Sequence, residues 1–120
     1  MANILIVEDN ENFSSLVTQI VHSLFSASKF SYAVTASQAL PLIASADIII
    51  TDFEFPDGGF LALLPTIQKE NKRFILISAE PTHVKIYDSI LQIDALNKGI
   101  HFVRSLISTL KTKICAGETS

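Results

Sequence analysis

Apolar residues in this chain follow two alternating patterns. Ile4-Leu5-Ile6-Val7, Ile48-Ile49-Ile50-Thr51 and Phe74-Ile75-Leu76-Ile77 are short, nearly unbroken, mostly β-branched runs. Lacking the apolar–polar alternation of a half-exposed strand, they predict strands covered on both faces, as in a parallel sheet. Tyr32-Ala33-Val34-Thr35 is more polar and suits an edge strand, and Ala95-Leu96-Asn97 suits a short fifth strand. Between the strands the spacing becomes helical. Phe13, Leu16, Val17, Ile20, Val21, Leu24 and Phe25 recur at i, i+3, i+4, i+7, i+8, i+11 and i+12, a single stripe. Asn10 or Asn12 can cap its start. Val103, Leu106, Ile107, Leu110 and Ile114 form a comparable stripe in the last helix.

Three further helices are expected on weaker patterns. Ser37 can cap a short second helix, with Pro41 near its first turn, where a missing N–H costs little. Pro65 falls inside the third helix, Phe60 to Gln68, and should kink or divide it. The fourth, roughly Pro81 to Gln92, carries Val84, Tyr87, Ile90 and Leu91. Strand and helix alternating five times, with right-handed crossovers, predict a doubly wound α/β domain with helices on both faces of a parallel sheet. With no repeat, linker or low-complexity tract, residues 1–115 read as one domain and 116–120 as a flexible tail.

Composition removes several classes of function. The 120 residues are 48% hydrophobic and 18% charged, which excludes disorder. Nine basic against twelve acidic residues give a net charge of −3, the wrong sign for holding nucleic acid by its phosphates. A lone cysteine, Cys115, can form neither an internal disulfide nor a zinc cluster, which fits a reducing compartment. No apolar run approaches the ~20 residues that span a bilayer. The start, MANILIVEDN, lacks the layout of a signal peptide. The expectation is a cytoplasmic domain without nucleic-acid or membrane partners. His22, His83 and His101 share no metal-ligand spacing.

In an open α/β sheet, ligands bind beyond the carboxyl ends of the strands. Glu8 and Asp9 follow the first strand, Asp52 the third, Ser78 the fourth and Lys98 the fifth. Each alone has an ordinary structural explanation as a cap, a strand end or a surface charge. Together they occupy one edge of one sheet. Three gathered carboxylates repel unless a cation neutralises them, and hard Mg²⁺ takes oxygen ligands at ~2.0–2.1 Å while keeping waters that a phosphoryl oxygen can replace. Asp52, opening the loop Asp52-Phe53-Glu54-Phe55-Pro56-Asp57-Gly58-Gly59, is the best nucleophile toward phosphorus. Lys98 would act on a phosphoryl oxygen as a point charge, and the Ser78 hydroxyl would donate to another.

These residues carry a resemblance to the response-regulator receiver domains of two-component signalling. It extends over essentially the whole chain and rests on Ile-Val-Glu8-Asp9-Asn, Thr51-Asp52 with Pro56 and Gly58-Gly59, Ile77-Ser78-Ala79, and Asn97-Lys98. The resemblance implies a flavodoxin-like (βα)5 fold with strand order 2-1-3-4-5. It implies Asp52 as phospho-acceptor, Mg²⁺ held by Glu8, Asp9, Asp52 and the main-chain carbonyl of Glu54, Ser78 as switch hydroxyl and Lys98 as phosphate-binding lysine. Glu54 and Glu80 stand where the family tunes phosphoryl lifetime. Gly99 replaces the family's proline after the lysine, Ala95 replaces its switch aromatic, and the Pro56–Gly59 stretch is one residue short.

The function expected is a stand-alone receiver rather than an enzyme, catalysing only its own Mg²⁺-dependent phosphorylation and dephosphorylation. It would take its phosphoryl group from a histidine kinase or phosphotransfer protein. Its output would be contact with a downstream protein, or a homodimer, through the face of the fourth helix, fifth strand and fifth helix. Two alternatives stand beside it. One is a phosphorylation-independent interaction module, suggested by Ala95 and Gly99. The other is a small phosphohydrolase using an aspartyl phosphate, faintly suggested by Asp52-Phe53-Glu54.

Overall fold

The computed structural model describes residues 3–79, 94–97 and 102–112, with 94–97 described by their backbone. The strands are β1 (Asn3–Val7), β2 (Lys29–Ala33), β3 (Ile48–Asp52), β4 (Arg73–Ser78) and β5 (Asp94–Asn97). They form one five-stranded parallel sheet in the order β2-β1-β3-β4-β5. This is the doubly wound arrangement that the alternation predicts, in the flavodoxin-like strand order that the family resemblance implies.

The unbroken apolar runs follow from packing on both sides. Side chains alternate across a strand, so each run feeds two cores. Leu5, Val7, Ile49 and Leu76 lie in one core with Ile43, Phe60, Leu63 and Ile67. Ile4, Ile6, Ile48, Ile50, Ile75 and Ile77 lie in the other with Val17, Val21, Phe102, Leu106 and Leu110. Each such burial stabilises by roughly 1.5–3 kcal/mol relative to exposure. β2 lies at the edge, and Tyr32 on it is half exposed.

Helix α1 (Glu11–Leu24) buries Val17, Ile20 and Val21 of its predicted stripe. Asn10 is its cap, its Oδ1 accepting from the Phe13 amide at 3.0 Å, with Glu11 favourably placed in the first turn. The ring of Phe13 meets that of Phe102 at a centroid distance of 4.7 Å, tying α1 to the C-terminal helix (Phe102–Leu110). That helix buries Phe102, Leu106 and Leu110. No described helix is long and apolar enough to cross a membrane.

Three local expectations need correction. β2 begins at Lys29 and ends at Ala33, upstream of the predicted 32–35, because Val34 and Thr35 serve the next helix. The cap of α2 (Ala36–Ala39) is Thr35, not Ser37. Thr35 Oγ1 accepts from the Gln38 amide at 3.1 Å, while Gln38 Oε1 accepts from the Val34 amide at 2.9 Å. The Thr-x-x-Gln spacing carries that signal, a near relative of the capping box. Pro41 lies in the 3-10 turn that follows, Leu40–Leu42. Finally, α3 (Gly59–Lys69) runs undivided through Pro65. Leu61, whose carbonyl loses its helical donor there, is half exposed, so water can take the missing hydrogen bond.

The expected fourth helix (81–92), Glu80, Lys98, Gly99, Cys115, the 116–120 tail and the side chain of Ala95 lie outside the described residues.

Candidate functional site

Strand order and register bring the carboxyl ends of four strands together. Val7 pairs with Thr51, so Glu8, the next residue, comes level with Asp52. Asp52 pairs with Ile77, which puts Ser78 one step beyond, and Ser78 pairs with Asn97, the residue before Lys98. The sheet order thus gathers residues from distant parts of the sequence along one edge.

The acids converge there. One carboxylate oxygen from each of Glu8, Asp9 and Asp52 lies within 4.8 Å of the others. Glu8 and Asp52 are only 6% and 8% exposed, whereas Asp9 is open to solvent. Two buried carboxylates beside a third are costly unless donors or a cation offset their charge. Some of that offset is backbone. The Asn10 amide donates to Glu8 Oε2 at 3.1 Å, and the Phe53 amide donates to Asp52 Oδ1 at 2.9 Å.

A hard divalent cation fits this donor set. All three side-chain donors are anionic oxygens, without nitrogen or sulfur, the preference of Mg²⁺ rather than zinc or copper. Opposite ligands on Mg²⁺ stand about 4.2 Å apart, so the observed spread is close to what such an ion needs. The Glu54 carboxylate is exposed and outside the cluster, which leaves the main-chain carbonyl as the group this residue could offer.

The loop after Asp52 is shaped by backbone that other residues adopt with difficulty. Asp57, Gly58 and Gly59 all have positive φ, at 72°, 108° and 66°. A Cβ on Gly59 would come within 2.5 Å of the Phe53 carbonyl oxygen. That approach lets the Phe60 amide donate to the same oxygen at 2.9 Å, closing the base of the loop. The Phe53 amide also donates to the Ile77 carbonyl at 2.8 Å, so the residue beside Asp52 is stitched to β4.

Ser78 is buried at the end of β4. Thr51 is fully buried, its hydroxyl donating to the Asp52 carbonyl at 2.9 Å. The sequence reading gave Thr51 no role, although a lone polar residue ending a run of isoleucines was the available signal. Beside the acids opens a groove of about 470 Å³ whose lining includes Glu8 and Asp9, Ser14 and Thr18 of α1, and Tyr32 of the edge strand. Thr18 Oγ1 and the Tyr32 hydroxyl hydrogen-bond across it at 2.9 Å.

The chain matches no protein-family model and no curated protein. Solved structures do match it. The receiver domain of the Francisella response regulator 1452 superposes with a TM-score of 0.77 at 23% identity, covering 100% of both chains. A CheY-like response regulator receiver domain protein from Methanospirillum hungatei gives 0.77 at 21% identity, over 99% of this chain and 98% of that one. The phosphorylated cyanobacterial phytochrome response regulator RcpA gives 0.81 at 12% identity, over 96% and 95%. At these identities the likeness speaks for the backbone, and this chain has the fold of the response-regulator receiver domains.

Proposed function

We propose that this domain accepts a phosphoryl group on Asp52 in two-component signalling. The observation that carries the reading is the convergence of Glu8, Asp9 and Asp52, from the ends of two neighbouring strands, to within 4.8 Å on a receiver fold. A carboxylate oxygen of Asp52 attacks phosphorus and forms an acyl phosphate. The bond from phosphorus to the donor's imidazole nitrogen breaks, and its electron pair stays with that nitrogen. Mg²⁺, held by Glu8, Asp9, Asp52 and the Glu54 carbonyl, would screen the negative charge of the incoming group when bound. The Ser78 hydroxyl donates to one phosphoryl oxygen and the Lys98 ammonium attracts another. The donor is a histidine kinase or phosphotransfer protein. The output is a protein contact, or a homodimer, through the face of the fourth helix, β5 and the C-terminal helix.

Incubation with Mg²⁺ and acetyl phosphate, followed by intact-mass measurement, tests this. One phosphoryl adduct per chain, lost in Asp52→Asn, is expected. Absence of any adduct would favour a phosphorylation-independent interaction module, and sustained turnover of a generic phosphate ester would favour a phosphohydrolase.

A further inference from the structure

We infer that Ser37 is a positioning residue for the site at Asp52, fixing through Asp57 the loop that presents the Glu54 carbonyl to the cation. The inference rests on the proposed role of that site. The loop leaves β3 at Asp52 and enters α3 at Gly59. It is held at its base by the Phe60–Phe53 hydrogen bond, and midway by the side chain of Phe55, only 7% exposed. Its tip, Pro56 to Gly58, is exposed and has no place in the core.

What holds the tip is α2. The Ala36 amide donates to the Pro56 carbonyl at 3.1 Å, and the Ser37 hydroxyl donates to Asp57 Oδ2 at 2.9 Å. The second bond falls on a residue that needs it. Asp57 has a φ of 72°, in the left-handed region where a side-chain-bearing residue is strained. Ser37 is itself fixed, because Thr35 and Gln38 hold the backbone on either side of it. Glu54 lies in the loop between the closed base and the held tip, so both anchors bear on its peptide. Removing the Ser37 hydroxyl leaves the Ala36–Pro56 bond as the tip's remaining hold on α2, so the Glu54 peptide samples more orientations, and cation affinity falls by the fraction of time its carbonyl is lost to the cation.

The test uses Mn²⁺ as the probe, followed by electron paramagnetic resonance on the full chain, with urea unfolding measured in parallel. In Ser37→Ala, Mn²⁺ affinity should drop about three- to tenfold, the range of one typical net hydrogen bond. Ser37→Thr, which keeps the hydroxyl, should restore affinity to within about twofold. Unchanged affinity in Ser37→Ala, even with a lowered unfolding midpoint, overturns the inference and leaves the proposed site standing. If the wild-type chain binds no Mn²⁺, or if binding survives a Glu8→Gln, Asp52→Asn double substitution, the site reading itself fails. Should Ser37→Ala not fold, Asp57→Asn carries the measurement, because asparagine tolerates positive φ but accepts more weakly. A loss of affinity is again expected, and no change overturns the inference.

Discussion

Gly59 packs against the carbonyl of Phe53, the residue after Asp52, so closely that a Cβ would come within 2.5 Å of the oxygen. The same glycine has a φ of 66°. Two independent constraints, space and backbone conformation, thus meet at one position of the loop that leaves Asp52.

Gly59→Ala should therefore lower the stability of the fold by about 1–3 kcal/mol, since left-handed backbone and displaced carbonyl both count against alanine. Urea unfolding measures the loss. Acetyl phosphate labelling should slow as well, because the Phe53 amide that bonds Asp52 Oδ1 moves with the displaced carbonyl. An alanine variant as stable and as fast as wild type would show that the loop yields without cost.

The crowding of Glu8, Asp9 and Asp52 makes a signed prediction about charge. Without divalent ions, Asp52→Asn should stabilise the domain by about 1 kcal/mol, because one of three repelling carboxylates becomes neutral. Mg²⁺ should raise the unfolding temperature of wild type, and raise that of Asp52→Asn by less. Thermal unfolding with and without Mg²⁺ decides it. Equal shifts in both proteins would place the cation elsewhere.

Glu54 is exposed two residues after Asp52, and Glu80 follows Ser78 by two residues in the sequence. An anionic phosphodonor should be repelled by both. In Glu54→Asn, Glu80→Ala, labelling by acetyl phosphate should quicken about two- to threefold at low ionic strength, with the gain shrinking as salt rises. The decay of phospho-Asp52, followed in the same samples, should also change. Unaltered rates of both would mean that the two acids lie outside the path of the donor and of hydrolytic water.

Pro65 gives a test of the fold without touching the site. Its helix is continuous and its lost hydrogen bond falls near the half-exposed Leu61. Pro65→Ala should stabilise by about 2–3 kcal/mol, the helical penalty of proline less the greater freedom alanine allows the unfolded chain. Leu106→Ala, in the fully buried stripe of the C-terminal helix, should cost about 2–5 kcal/mol instead. Chemical denaturation of the two variants distinguishes surface relief from a core cavity.

Legibility in the sequence divides along physical lines. The strands at Ile4–Val7, Ile48–Thr51 and Phe74–Ile77 were readable because covering both faces of a sheet demands unbroken apolar runs. The stripe from Phe13 to Phe25 was readable because a helix buries one side. Errors fell where two local rules competed. Val34 and Thr35 have strand-forming character, but their backbone and hydroxyl are taken by Gln38. Pro65 is a helix breaker by propensity, yet the buried neighbours Leu63 and Ile67 hold the helix together around it. Tertiary packing outweighs propensity there.

By itself, then, the sequence determined the class of fold, the number of sheet layers and the set of polar residues stranded at strand ends, because those depend on periodicity within short windows. Tertiary structure alone decided which of them meet. Glu8 and Asp52 become neighbours only because β1 and β3 pair side by side, and Ser37 reaches Asp57 across twenty residues only because α2 packs beside the loop after β3. Such contacts are set by strand order, register and crossover placement, which local patterning leaves open, and a few ångströms there separate three solvated acids from a site that can hold a cation.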